Sequence, residues 1–169
     1  MAEYEKAIQF YPDSADLHNS LGSALEQQGR VDDAITQFKA AIQIDPKLAD
    51  AHNHLGLALL SKEQAEAQAA AEQEFRTAIT LKPDFADAEN NLGTLYGQRG
   101  NDAAAEQMFR EAVKSDPAFP RALVNLAATL ASESRFSEAD KVVQQVLHMD
   151  PENKDALQLQ AMLKGQGSR

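Results

Sequence analysis

No cysteine occurs anywhere in the 169 residues, which excludes disulfides, thiolate nucleophiles and thiolate metal sites. Long apolar runs are missing as well. The longest stretch is a few residues, far short of the roughly 20 that a membrane-spanning helix needs. Nor is there any cluster of Lys and Arg: 16 basic side chains stand against 26 acidic ones, a net charge of −10. Nucleic-acid binding requires clustered cations that displace counterions from phosphates, so that class is excluded, and anionic membrane surfaces are disfavoured for the same reason. The acids are spread along the whole chain, the pattern of a solvated surface.

Catalytic signatures are equally scarce. There is no phosphate-cradling Gly loop, no strand to carry a nucleophile elbow and no His-Glu-x-x-His. His52 and His54 are two apart, which on a helix points them to different faces, unlike a metal-binding pair at i, i+4. His148 is alone. The expectation is therefore no enzyme, no metal and no cofactor.

What the chain does have is a period. From Asp84 to Pro117 it reads as two amphipathic helices joined by Gly100-Asn101-Asp102, with a Pro just past the second. Leu92, Gly93 and Tyr96 share one face of the first helix, and Ala105, Phe109 and Ala112 share one face of the second. The Pro landmark recurs at Pro12, Pro46, Pro83, Pro117 and Pro151, in steps of 34, 37, 34 and 34. Gly22, Gly56, Gly93 and Ala127 keep the same steps, as do Ala34, Ala71, Ala105 and Ala139 and also Phe38, Phe75, Phe109 and Val143. Several landmark classes sharing one period, with one shared three-residue slip, mark a repeat.

The pattern L-G-x-x-Y, then A-x-x-x-F-x-x-A, then P is similar to the tetratricopeptide repeat (TPR), and the resemblance covers the chain from about Glu3 to Leu163. It implies an all-α fold: a right-handed superhelical solenoid of antiparallel helix pairs, each touching only its neighbours. On this reading residues 1–14 are a half-repeat holding only a second helix. Repeats follow at 15–48, 49–85, 86–119 and 120–153, and residues 154–169 are a capping helix and tail, ten helices in all. A start in mid-repeat fits a piece of a longer protein. With no leader or spanning segment in view, the default compartment is the cytoplasm.

Local expectations accompany this frame. Asp13 is placed to cap the next helix. Gly22 is expected to let its partner helix approach closely at Ala34. The second repeat carries the three extra residues between Gly56 and Ala71, in a stretch of strong helix formers that predicts extension of one or both helices. The fourth repeat, with Ala127 for Gly and Val143 for Phe, is expected to pack more loosely. Gln160 and Lys164 stand where Leu and Tyr belong, as a solvated end requires, and the last five residues are expected to fray.

The resemblance also implies where function lies: the first helices line a concave groove, and fixed positions of each repeat face it. Here those positions hold Asn19, Asn53, His54, Leu57, Leu60, Asn90, Asn91, Thr94, Arg121 and Asn125. A row of Asn offers donors and acceptors to an extended peptide backbone. It resembles the Asn ladder of O-linked N-acetylglucosamine transferases, departing from it at Ser20 and His54. Leu57 and Leu60 form an adjacent apolar pair suited to anchoring a side chain. Asp16, Asp50 and Asp87 sit in the first turns of their helices and complement the helix dipole. His18 and His52 share a position that usually packs an aromatic. A carboxylate clamp is not matched, because the corresponding positions hold Asn19, Ser23, His54, Asp87 and Asn91.

The implied function is a protein–protein interaction scaffold that binds an extended or helical peptide segment in its groove. Two alternatives use the same features. A head-to-tail homo-oligomer would join the half-repeats at the two ends, and a recognition arm would belong to a larger enzyme or assembly factor.

Overall fold

Three of the links between helix pairs are written locally, as Asp-Pro turns. Asp45, Asp116 and Asp150 each close a helix by donating a backbone N–H to the carbonyl four residues back. Each carboxylate then accepts from the N–H two residues on, at Lys47 (2.9 Å), Ala118 (3.0 Å) and Glu152 (3.1 Å). The proline after each Asp holds its backbone extended, so the helix stops there. Within the pairs, Gly29 and Gly100 take φ of 74° and 70°, the left-handed conformation that glycine adopts without penalty. Ser134 takes the same turn at φ 62° and is the one non-glycine with positive φ among the described residues.

The computed structural model describes residues 2–62 and 64–166. Among these are ten helices and no strand. The chain divides into two compact units between residues 83 and 84. The first unit holds α1 (Ala2–Phe10), α2 (Ala15–Glu26), α3 (Val31–Ile44), α4 (Ala49–Leu60) and α5 (Ala65–Leu81). The second holds α6 (Ala86–Gln98), α7 (Asp102–Ser115), α8 (Pro120–Ser132), α9 (Phe136–Met149) and α10 (Lys154–Gln166). In each unit consecutive helices pack on one another in sequence order, and first helices also touch the next first helix: α2 with α4, α6 with α8, α8 with α10.

The periodic apolar residues make the core of each unit. In the first, Leu21, Leu25, Phe38 and Leu55 cluster around the fully buried Ala34 and Ala58. In the second, Phe109, Leu123, Leu126, Leu130, Val143 and Val146 form a cluster that Leu159 and Leu163 of α10 extend.

The glycine at the small position makes room for a ring rather than for a helix backbone. A Cβ on Gly22 would stand 2.5 Å from Phe38, one on Gly56 2.6 Å from Phe75, and one on Gly93 2.7 Å from Phe109. The close approach expected at Ala34 is thus made by Phe38, four residues further along the same face. This also explains the fourth repeat. Ala127 brings a Cβ and Val143 removes the ring, and both residues are completely buried. The two departures compensate each other.

Three more expectations are refined. Ser14, not Asp13, caps α2, its hydroxyl accepting from Leu17 N–H at 3.4 Å. The insertion lies in α5, which has 17 residues where α3, α7 and α9 have 14, while α4 keeps the 12 residues of α2. Only one helix lengthens, because α4 stops at the same register as its neighbour α2. Ser61 then donates back to the Ala58 carbonyl at 2.8 Å, and Lys62 pairs with Asp32 of α3. Gly165 and Gln166 still belong to α10, and the remainder of the expected frayed tail lies outside the described residues.

Candidate functional site

The face formed by the first helices carries the side chains that the repeat positions single out, and many of them are engaged within the fold. In the first unit His54 donates from Nδ1 to Asn19 Oδ1 at 2.9 Å, and its ring lies 5.5 Å from that of Phe38. In the second, Asn125 Nδ2 donates to Asn90 Oδ1, also at 2.9 Å. Both bonds join the same two positions of consecutive first helices, 35 residues apart. They staple one helix pair to the next. Asn53, Asn90 and Asn91 are buried, at 4%, 1% and 7% exposure, and Thr94 donates its hydroxyl to the Asn90 carbonyl at 3.0 Å. Asn19, Leu57 and Leu60 are half-buried and Arg121 is exposed. A buried amide already bonded to its neighbour has little left to offer a passing backbone. The Asn row therefore acts first as internal hydrogen bonding.

A second repeated device lies one position earlier. His18 donates from Nε2 to the Pro12 carbonyl (3.1 Å), with Nδ1 2.8 Å from Gln37 Oε1. His52 does the same toward Pro46 (3.1 Å), with Nδ1 2.6 Å from Glu74 Oε2. Each imidazole ties the preceding turn to the second helix of its own pair. The equivalent position in the third repeat is Glu89. Its Oε2 is buried without a hydrogen bond, and burial pushes its carboxyl above the usual range.

On the second helices and turns of the second unit, Arg135 binds Glu138 and Glu106 at 2.8 Å and Glu133 at 2.9 Å. These hydrogen bonds hold the guanidinium further above its usual range and pull Glu138 down. Burial opposes ionisation of Glu106, but Arg135 and Arg110 outweigh it and lower that group too. No three His, Asp or Glu among the described residues are arranged to hold a metal ion, and no helix among them is long and apolar enough to cross a membrane.

A concavity of the second unit runs between α8 and α10. Three hollows share walls there. The polar one, of about 350 Å³, is lined by Arg121, Val124, Asn125, Asn153 and Asp155, among others. Val124 and Asp155 continue into a hollow of about 320 Å³ with Ala128, Leu159 and Met162. The last three continue into a third, of about 580 Å³, that reaches Ala131 and Phe136. Volumes of this size are in the range of ligand clefts. Arg121 and Asn125 belong to the positions singled out in the sequence. Leu159 and Met162 do not, because α10 reads there as a solvated cap. Their spacing of three along a helix was the available sign, and Met162 remains 47% exposed.

Comparison with known proteins fits this architecture. TPR models match residues 1–29 and 24–62, then 65–120, then 98–163. No curated protein sequence matches the chain. Among solved structures, MamA is 25% identical over 88% of this chain and 85% of its own, with a TM-score of 0.75. YrrB, described as a TPR protein with an unusual peptide-binding site, is 21% identical over 98% of this chain and 84% of its own, TM-score 0.75. The pilF protein of Pseudomonas aeruginosa is 22% identical over 98% and 74%, TM-score 0.85. Matched by repeat models over nearly its whole length, and built in both units from their antiparallel helix pair, the chain belongs to the tetratricopeptide repeat family.

Proposed function

We propose that the chain is a protein-interaction module that holds a peptide segment of a partner protein against its first-helix faces. The observation that carries this reading is the trough between α8 and α10, polar at one end and apolar along its length. An extended segment laid along it would bury apolar side chains on Ala128, Leu159 and Met162. Its backbone N–H groups could reach Asn125 Oδ1, which has no hydrogen bond among the described residues. In the first unit, Leu57 and Leu60 on α4 offer a half-buried apolar pair of the same kind. The shared fold with a neighbour that has a peptide-binding site supports the reading.

The test is selection of a random dodecapeptide display library on the full chain, followed by hydrogen exchange with an enriched peptide bound. The expected result is slowed exchange in α8 and α10. Failure to enrich any peptide, or protection confined to second helices, would overturn the proposal.

A further inference from the structure

The trough has a chemical asymmetry that the repeat pattern does not supply. Arg30, Arg76, Arg110 and Arg135 are each held by a carboxylate. Arg121 is exposed and has no ion pair among the described residues. It stands in the first turn of α8, which carries no acid there, whereas α2, α4 and α6 carry Asp16, Asp50 and Asp87. Asp155 shares the polar end, but it lies in the first turn of α10, where the helix dipole complements its charge. On a chain of net charge −10, this end of the trough holds a cation that makes no ion pair among the described residues, with Asp155 the acid that shares its lining. The other end is apolar.

The spacing between the two ends follows from α8 itself. Arg121 and Ala128 are seven residues apart on one helix, about 10 Å at helical rise. An extended peptide covers that distance in about three residues. We infer that the α8–α10 trough takes an extended segment carrying an acidic side chain about three residues from a large apolar one. The acid lies against Arg121, and the apolar group lies over Ala128 between Leu159 and Met162. This rests on the peptide-binding reading above and adds to it the class of sequence recognised.

Acetylated, amidated and fluorescein-labelled Gly-Ser peptides, with one Asp and one Leu at separations of one, three and six, would be titrated with the full chain by anisotropy. Separation three should bind about tenfold more tightly than the other two, the difference that one well-seated anchor makes. Arg121→Glu should weaken it by about tenfold or more and favour a twin peptide with Lys in place of Asp. Arg121→Gln serves as a second variant that removes charge without reversing it. Ala128→Trp, which fills the apolar hollow, should weaken both peptides. Thermal melts like the parent's keep these readings free of misfolding.

Equal affinity at all three separations, or variants that melt like the parent and bind unchanged, would overturn the inference. Binding only by a peptide with a free C-terminus would reassign Arg121 to a terminal carboxylate and overturn the side-chain assignment. Display-selected peptides that bind without this pairing would sink the inference alone. A library that yields no binder would sink the peptide reading with it.

Discussion

One position shows how much a single residue can vary within a constant frame. Successive repeats place His18, His52, Glu89 and Leu123 at the same point of the first helix. The two histidines find partners in the preceding proline carbonyl and the facing helix, and Leu123 is simply buried, at 1% exposure. Glu89, at 5%, has a buried oxygen with no hydrogen bond. Burial raises its carboxyl above the ordinary 4.5, Ser115 and Lys114 oppose this, and Glu111 and Asp84 add to it. A raised carboxyl binds its proton more tightly in the folded chain than in the unfolded one, so stability falls as pH climbs from the ordinary value through the raised one. Glu89→Leu should therefore be more stable than the parent at neutral pH, on the order of 1–3 kcal/mol, the usual cost of an unsatisfied buried polar group. The gap should narrow as pH drops toward about 4.5, because the parent's raised carboxyl takes up its proton on the way. Urea melts of both proteins at the two pH values measure it; a gap that widens in acid would contradict this account.

At the scale of the helix pair, the unit of packing is a glycine and the aromatic it faces. Gly56 and Phe75 show this in the first unit, with no space for a Cβ against the ring. Gly56→Ala should cost about 1–3 kcal/mol through overpacking, even though alanine is the better helix former. Adding Phe75→Val should recover part of that loss, because Ala127 and Val143 make the same pair natively with both side chains fully buried. Thermal or urea unfolding of the two single variants and the double variant forms a cycle that checks this. A double variant as unstable as the sum of its parts would show that the pair does not compensate.

For the whole molecule, the same pairing rule bears on self-association. In a head-to-tail contact the small position of α10, Ala161, would face the residue of α1 that corresponds to Phe38, which is Tyr4. In the fourth repeat, where the small position carries a Cβ at Ala127, its partner is Val143 rather than a ring. The mismatch predicts a constant mass near 18.4 kDa by light scattering across a concentration series. A mass that rises with concentration would restore the assembly reading. The repulsion of a chain with net charge −10 works in the same direction.

Repeat period and helix content were legible from residue order alone, because amphipathic spacing, the recurring Pro and Gly turns are local signals. The sequence also determined that any chemistry here would be done without thiols. The tertiary structure decided the rest, since it depends on which atoms meet across helices. It bonded Asn19 to His54 and Asn90 to Asn125 within the fold while leaving Asn125 Oδ1 without a hydrogen bond among the described residues, and it set Phe38 rather than Ala34 against Gly22. It also drew Leu159 and Met162 of the supposed cap into a trough with Arg121 and Asn125. A side chain's availability is fixed by its neighbours in space, and those come from elements tens of residues away.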